Sequence, residues 1–427
     1  MTRERDITRV IALIFASVVL ASCSRGPGSA LLPAGRPNGA AQVSQATRHL
    51  ERSSFGRPRT GNGYKVIFRF DYADGAFPGA GLTDVDGLLY GTTFQGGTGN
   101  GTVFSVTTSG DERVLHSFTT VYDGKLPGTS LINVKGLLYG ATSQGGADDE
   151  GTVFTITTSG RENVLYSFKG GTDGATPQAG LHYVNGMLYG TTVFGGLYNM
   201  GTVFSLTTGG KETVLHSFAG GADGAQPYAA LTNVKGVLYG TTLYGGSGSG
   251  CASPSGTGCG TVFSITTAGT ETVLHTFTNN GYDGVAPFAG LTDLKGLLYG
   301  TTVIGGTASS SGTVFTITTS GKENVLYSFK GGTDGAAPTG GLIDVKGTLY
   351  GTTSAGGAKK NYGTIFSITA EGNEKVLHSF KGGTGGEGPH GNLVATNSGT
   401  LYATTESGGS TYYCYGYGCG TIFKVSP

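Results

Sequence analysis

One sequence unit recurs seven times along this chain, and this repetition constrains the fold more than any other feature. Each copy contains Leu-Tyr followed within three residues by Thr, and successive copies lie about fifty residues apart. A period of this length is typical of proteins built from stacked or circularly arranged repeats. The anchoring tyrosines are Tyr90, Tyr139, Tyr189, Tyr239, Tyr299, Tyr350 and Tyr402.

Each copy predicts four short antiparallel strands, here named A to D in chain order. In the third copy, residues 180–184 form an apolar run, an Asn-Gly pair favours a hairpin turn, and residues 187–193 form the second strand. A double glycine then opens a loop before a third strand at residues 202–207, and a fourth strand follows at residues 214–218. The unit is therefore predicted to be a four-stranded meander.

The two ends of the repeat region complement each other. Residues 64–70 have the pattern of a strand D that precedes any A, B or C, whereas the chain ends in a strand C at residues 421–425. A ring gains from such a split, because pairing the two ends protects its edge strands, whereas an open solenoid gains nothing. The sequence therefore predicts an all-β fold, a seven-bladed β-propeller over residues 63–427, with blade 7 completed by the N-terminal strand D.

The repeat unit resembles the bacterial GloVer tandem repeat. The motifs that carry the resemblance are Leu-Tyr-Gly-Thr-Thr, a double glycine, Gly-Thr-Val-Phe, Val-Leu-His-Ser-Phe and Asp-Gly-x-x-Pro. Their order is also similar to that of kelch repeats, although kelch blades carry a tryptophan and this chain has none. The resemblance implies a secreted or surface-anchored repeat protein without an established activity.

The first 23 residues predict export and a lipid anchor. Three arginines precede an apolar stretch at residues 10–21, which is too short to span a membrane and has the composition of a secretory signal. The stretch ends in Leu-Ala-Ser-Cys23, which resembles the lipobox of bacterial lipoproteins and implies that Cys23 is lipidated. Ser24 replaces the aspartate of inner-membrane retention, which implies the outer membrane or the cell surface. An ordinary signal peptide with an incidental cysteine is the alternative.

Residues 24–62 are rich in Gly, Pro, Ser and Arg and show no apolar periodicity. They are predicted to form a flexible tether between the anchor and the propeller.

The remaining cysteines form two local pairs, Cys251 with Cys259 and Cys414 with Cys419. Both pairs lie between strands B and C, and in both the second cysteine directly precedes the Gly-Thr of strand C. This equivalent placement predicts two loop disulfides formed in an oxidising compartment. The alternative is a four-thiolate zinc site, which is disfavoured because blades 4 and 7 lie across the ring from each other.

Composition and motifs argue against several classes of function. The formal net charge is zero, so neither nucleic acid nor an acidic membrane surface is an expected partner, and contact with the membrane is expected only through the anchor. The sequence contains no Gly-x-Ser-x-Gly, His-Glu-x-x-His or phosphate-binding glycine loop. We expect a monomer without a cofactor or metal.

Six aspartates and four histidines recur at fixed positions of the repeat. The aspartates begin Asp-Gly-x-x-Pro turns, and turn geometry is a sufficient reason for them, although a rim of carboxylates could bind cations. The histidines share one position of strand D with Phe68, Tyr166 and Tyr327, which favours packing over metal ligation or acid–base chemistry. These residues are Asp74, Asp123, Asp173, Asp223, Asp283 and Asp334, and His116, His216, His275 and His378.

Candidate binding residues lie where the repeat varies. In a propeller, the B–C and D–A connections share one face, named the loop face here, whereas the A–B and C–D turns emerge on the other face and are short and uniform. A rigid scaffold usually carries its function on variable loops, and tyrosine-rich loops suit sugars or protein surfaces. The alternative is that the rings only pack the loops together. The candidates are Phe94, Phe194, Tyr198, Tyr244, Tyr362, Tyr412, Tyr413, Tyr415 and Tyr417 in B–C loops, and Gln178, Tyr228, Phe288, Thr339 and His390 near the mouth of the channel.

Three functional hypotheses follow from the sequence. The first is a binding module for a glycan or an envelope protein, and the second is a structural component of the envelope. The third is a hydrolase or lyase of polysaccharide or cell-wall metabolism, for which His390, Glu406 and the acidic run at residues 148–150 are candidates. The third is disfavoured because an acid–base pair is expected on adjacent blades, and both His390 and Glu406 belong to blade 7.

Overall fold

The computed structural model describes residues 63–248, 250–253, 256–307, 310–358, 361–409 and 414–427. The predicted signal segment, Cys23 and the tether lie outside these residues. Within them the chain forms seven four-stranded antiparallel sheets, each with neighbouring strands in the order A, B, C, D. Strands A of adjoining blades contact one another around the centre. The seven-bladed propeller predicted from the sequence is confirmed.

The strand bounds follow the repeat closely. Strand A occupies Thr83–Val85, Ile132–Val134, His182–Val184, Thr232–Val234, Thr292–Leu294, Ile343–Val345 and Val394–Ala395 in blades 1 to 7. Strand B occupies Leu88–Thr93, Leu137–Thr142, Met187–Thr192, Val237–Thr242, Leu297–Thr302, Thr348–Thr353 and Leu401–Thr405. Strand C occupies Thr102–Thr107, Thr152–Thr157, Thr202–Thr207, Thr261–Thr266, Thr313–Thr318, Thr364–Ile368 and Thr421–Val425. Strand D occupies Glu112–Ser117, Glu162–Ser167, Glu212–Ser217, Glu271–Thr276, Glu323–Ser328, Glu374–Ser379 and, for blade 7, Lys65–Arg69.

Short elements complete the described part of the chain. Two small two-stranded sheets pair Ala252–Ser253 with Gly256–Thr257 and Gly284–Val285 with Ile304–Gly305. Single turns of 3₁₀ helix are found at Gly221–Asp223, Gly332–Asp334, Gly383–Gly385 and Cys414–Gly416. Among the described residues, no helix has the length and apolar character needed to cross a membrane.

Blade 7 is completed from both ends of the chain, as predicted. Lys65–Arg69 runs antiparallel to Thr421–Val425, and the register pairs Lys65 with Lys424 and Arg69 with Thr421. This pairing contains a bulge, and the C–D pair of every other blade has a bulge at the equivalent place. The N-terminal strand therefore replaces an ordinary strand D without a change in geometry.

The core consists of apolar clusters between adjoining blades. The phenylalanine that follows strand D of one blade meets the phenylalanine in strand C of the next blade edge-to-face, with ring centroids 5.1–5.3 Å apart. In blades 1 to 6 the glycine after the repeat tyrosine makes room for this ring, whereas blade 7 has Ala403 at that position. At Gly91, for example, a Cβ atom would lie 2.5 Å from Phe104 Cζ.

A buried pair of threonine hydroxyls joins strands B and C in all seven blades. The last threonine of strand B and the first of strand C place their Oγ1 atoms 2.8 Å apart, which explains the Thr-Thr and Gly-Thr motifs. The pairs are Thr93 with Thr102, Thr142 with Thr152, Thr192 with Thr202, Thr242 with Thr261, Thr302 with Thr313, Thr353 with Thr364, and Thr405 with Thr421.

Both predicted disulfides are present. Cys251 is bonded to Cys259 and Cys414 to Cys419, each within one B–C loop, with Cα atoms 5.3 and 5.2 Å apart. Such bonds fit a protein exported to an oxidising compartment.

Candidate functional site

The loop face is a continuous, backbone-bonded surface. In blade 1, the D–A connection pairs with the B–C loop through an antiparallel bridge between Ala76 and Gln95, and five other blades repeat this bridge. Gly146 N–H also donates to the Val121 carbonyl at 2.6 Å, which ties a B–C loop to the preceding D–A connection. Side chains on these loops are thus held on a rigid frame.

The turn aspartates accept hydrogen bonds from the backbone of their own D–A connections. Asp173, Asp223 and Asp334 each accept a backbone N–H from the residue four positions earlier at 2.7 Å. Asp74, Asp123 and Asp283 accept equivalent backbone N–H groups at 2.9–3.1 Å. Burial raises the pKa of Asp74 to about 7. These contacts supply the structural role that was expected for the six turns.

The residues predicted to surround the channel mouth differ widely in exposure. Tyr228 is only 6% exposed and Thr339 only 3%, so neither offers a free side chain. Tyr228 stacks on Phe288 of the next blade with centroids 5.2 Å apart, and burial raises its pKa. Phe288, Gln178 and His390 are half-buried. Packing between blades 4 and 5 thus covers part of the mouth that the sequence suggested was open.

His390 and Glu406 lie together at this mouth. His390 Nε2 is 3.3 Å from Glu406 Oε2, and both side chains are partly exposed. The sequence expectation that such a pair must come from adjacent blades does not hold, because the start of strand A and the end of strand B of blade 7 converge. The pair can share a proton or bind a hydroxyl-rich ligand.

An open notch adjoins the His390–Glu406 pair. In blade 1, the ring of Phe94 covers Gly128 of the next blade, since a Cβ atom on Gly128 would lie 3.0 Å from Phe94 Cδ2. Glu406 is the equivalent of Phe94 in blade 7, but it faces His390. The corresponding glycine, Gly79, has no atom of a described residue within 4 Å of its Cβ position.

Other aromatic candidates divide into packed and exposed side chains. Phe194, Tyr244 and Tyr362 are half-buried, and burial raises the pKa of Tyr244 to about 12. Tyr198 and Tyr417 are 58% and 69% exposed. Tyr412 and Tyr413 lie outside the described residues, and the backbone of Tyr415 lies in the 3₁₀ turn Cys414–Gly416.

Two exposed tyrosines were missed by the sequence reasoning. Tyr122 and Tyr282 are 73% and 72% exposed and lie in D–A connections. Each directly precedes the turn aspartate, where the third blade has Thr172 and the fourth has Ala222. That departure from the repeat is the signal that could have identified them.

A polar group, named the outer triad here, recurs between the outer strands of adjoining blades. It contains the His or Tyr of strand D, the aspartate of the following turn and the first glutamate of strand D in the next blade. Five triads are His116/Asp123/Glu162, Tyr166/Asp173/Glu212, His216/Asp223/Glu271, His275/Asp283/Glu323 and Tyr327/Asp334/Glu374. In two of them, those of His216 and His275, one ligand atom from each residue lies within 4.8 Å of the other two.

Burial makes the glutamates of the outer triads weak acids. The pKa of Glu162 and of Glu374 is raised to about 7 and that of Glu212 to about 8, first by desolvation and then by the nearby turn aspartates. In each, Oε1 is buried and has no hydrogen bond within the described part of the chain. These carboxyl groups therefore carry a proton in the folded state at a pH where unfolded chains have lost it.

We expect the melting temperature, measured with a chelator present, to fall as pH rises from 5 to 8. In the folded protein the pKa values of these glutamates, about 7–8, exceed the ordinary glutamate pKa of 4.5. The stabilisation that their protonated form contributes is therefore complete below pH 4.5 and is lost as pH rises through 7–8. The triple change E162Q/E212Q/E374Q should make the profile less steep. The fully exposed Glu371 provides the control, since E371Q should keep the slope. A wild-type profile that rises over this range would contradict the assignment.

Comparison with known proteins identifies the repeat. The family model of the Gloeobacter/Verrucomicrobia repeat matches residues 55–254 and 248–427. No curated protein matches the chain. Among solved structures, an extracellular domain from B. thetaiotaomicron is similar with a TM-score of 0.52 at 10% identity, covering 84% of this chain and 39% of that chain. The quinohemoprotein alcohol dehydrogenase of Comamonas testosteroni gives a TM-score of 0.48 at 12% identity, covering 85% and 76%.

Proposed function

Because the chain belongs to the Gloeobacter/Verrucomicrobia repeat family, we propose that it is an exported, lipid-anchored propeller that binds a glycan or an envelope protein through its loop face. The lipobox-like Cys23 supports the anchor at the outer membrane or cell surface. Two disulfides support export.

One observation carries the proposal for the loop face. Among the described residues, every exposed large hydrophobic side chain lies in a B–C or D–A loop, and none lies in an A–B or C–D turn. These side chains are Val121, Tyr122, Leu197, Tyr198, Tyr282 and Tyr417. Tyrosines on such a frame offer an apolar ring and a hydroxyl at a small cost in conformational entropy, which suits the faces and hydroxyls of sugars. A glycan is therefore the favoured ligand.

Binding of the purified protein to a glycan and cell-wall polysaccharide array tests the proposal. The triple change Y122A/Y198A/Y282A should weaken binding at least tenfold, because it removes aromatic contacts that are central to recognition. These side chains are mostly exposed, so each change should alter stability by less than about 0.5 kcal/mol. The matched control is K211A/K322A, which changes exposed side chains of the opposite face and should leave binding intact.

The outcomes separate the ligand classes. No array binding together with tyrosine-dependent capture of an envelope protein would support the protein ligand. If the wild type and the tyrosine variant behaved alike in both assays, the binding proposal would be wrong and the scaffold role would be favoured.

The His390–Glu406 contact of 3.3 Å favours one second candidate, a hydrolase or lyase acting on polysaccharide. An imidazole beside a carboxylate can transfer protons at neutral pH, and the open space at Gly79 leaves room for a sugar. Turnover of an array-positive polysaccharide that is lost in H390Q would support this candidate.

A further inference from the structure

The outer triads of His216 and His275 combine ligands from two blades. In the first, strand D of blade 3 provides His216, the following turn provides Asp223, and strand D of blade 4 provides Glu271. The second repeats this arrangement one blade further along with His275, Asp283 and Glu323. Both lie at the outer strands, away from the His390–Glu406 pair at the channel mouth, and their aspartates belong to D–A connections of the loop face.

The distances suit a shared metal ion. His216 Nε2 lies 3.1 and 3.2 Å from the two oxygens of Asp223, and His275 Nε2 lies 3.4 Å from Asp283 Oδ2. Two ligands of a tetrahedral zinc ion with bond lengths near 2.0–2.1 Å are separated by roughly 3.3 Å. The glutamate oxygen lies within 4.8 Å of both partners, so binding would draw it closer to the ion.

Three of the atoms that would bind the ions are poorly satisfied without them. Glu271 Oε1, Glu323 Oε1 and His275 Nε2 are buried and make no hydrogen bond to a residue that the structure describes, although His275 Nε2 keeps its 3.4 Å contact with Asp283 Oδ2. A buried polar atom without a partner is destabilising, and a bound cation supplies that partner.

The aspartates are already oriented by the backbone. Ala219 N–H donates to Asp223 at 2.7 Å, and Thr278 N–H donates to Asp283 at 2.9 Å. Hydrogen bonds of this kind fix the direction of a ligating carboxylate and strengthen metal sites.

The equivalent triads with tyrosine show an alternative way to satisfy the aspartate. Tyr166 Oη donates to Asp173 at 2.7 Å, and Tyr327 Oη donates to Asp334 at 2.8 Å. The phenol hydroxyl donates a hydrogen bond to the aspartate, whereas an imidazole nitrogen offers a lone pair that can bind a metal ion. Within one chain, the same position of strand D therefore holds either a potential metal ligand, histidine, or a hydrogen-bond donor, tyrosine.

We propose that His216/Asp223/Glu271 and His275/Asp283/Glu323 are two binding sites for a divalent transition metal ion of the Zn²⁺ class. One imidazole and two carboxylates match the ligand set that Zn²⁺ accepts, whereas Ca²⁺ prefers oxygen ligands alone. Each ion would link the outer strands of two adjoining blades, blades 3 and 4 or blades 4 and 5, and so stabilise the ring.

Equilibrium dialysis of the purified protein against Zn²⁺ at pH 7.5, followed by elemental analysis, tests this proposal. We expect two bound Zn²⁺ per chain, one in H216Y, one in H275Y and none in the double variant. Tyrosine is the matched replacement because Tyr166 and Tyr327 occupy this position beside the same two acids. Zn²⁺ should also raise the melting temperature of the wild type but not of the double variant, and Ca²⁺ should do neither.

A control variant checks that the number of bound Zn²⁺ ions reflects these two sites. His378 lies at the same position of strand D, but Gly385 replaces the aspartate of its turn, so H378Y should still bind two ions. Two Zn²⁺ retained in H216Y/H275Y, or no Zn²⁺ bound to the wild type while it is folded by circular dichroism, would overturn the proposal.

Discussion

Deletion of residues 63–71 is expected to destabilise the whole ring, not blade 7 alone. The deletion removes Lys65–Arg69, which pairs with Thr421–Val425, and Phe70, which packs against Phe104 of blade 1 with centroids 5.2 Å apart. Loss of a buried phenylalanine side chain alone costs about 3–5 kcal/mol, and the deletion also leaves an unpaired strand edge. Thermal unfolding followed by circular dichroism should show a lower midpoint and a broader transition.

Two substitutions distinguish the contribution of Phe70 packing from that of ring closure by the N-terminal strand. F70A keeps the strand and should lower the free energy of unfolding by about 3–5 kcal/mol, less than the deletion does. R69A removes an exposed side chain that donates to the Thr384 carbonyl at 3.1 Å, and its effect should stay below about 1 kcal/mol. An unchanged midpoint in the deletion variant would contradict closure of the ring by the N-terminal strand.

The substitution G224A is expected to be strongly destabilising for a single change in a loop. Gly224 has φ 97° and ψ 168°, a conformation that only glycine adopts readily. A Cβ atom there would lie 2.6 Å from Thr242 Oγ1 and 2.9 Å from Thr261 Oγ1, the hydroxyl pair that joins strands B and C. Backbone strain and overpacking together should cost roughly 2–5 kcal/mol, measured as a lower midpoint in chemical denaturation.

The chain offers its own control for this glycine. Gly79 is not one of the glycines with positive φ, and among the residues that the structure describes no atom lies within 4 Å of its Cβ position. G79A should therefore change stability by less than about 0.5 kcal/mol. If the two variants unfolded at the same denaturant concentration, the close packing of Gly224 on the threonine pair would be wrong.

The sequence by itself determined the architecture, because the signals for it are local. Turn residues and the period of about fifty residues define the blade. The unmatched strands at residues 64–70 and 421–425 predict closure, and the equivalent positions of Cys251 and Cys414 predict the loop disulfides. Each of these features can be identified within a few residues or by comparing one copy with the next.

Only the tertiary structure decided which side chains are available for chemistry. Tyr228 is covered by its stack on Phe288, His390 meets Glu406 within one blade, and Glu271 reaches His216 from the next blade. These relations depend on how blades pack against one another and on which way side chains turn at the end of a strand. A local pattern does not encode the distance between residues that are about fifty positions apart, so exposure and pairing at the site emerge only when the ring is closed.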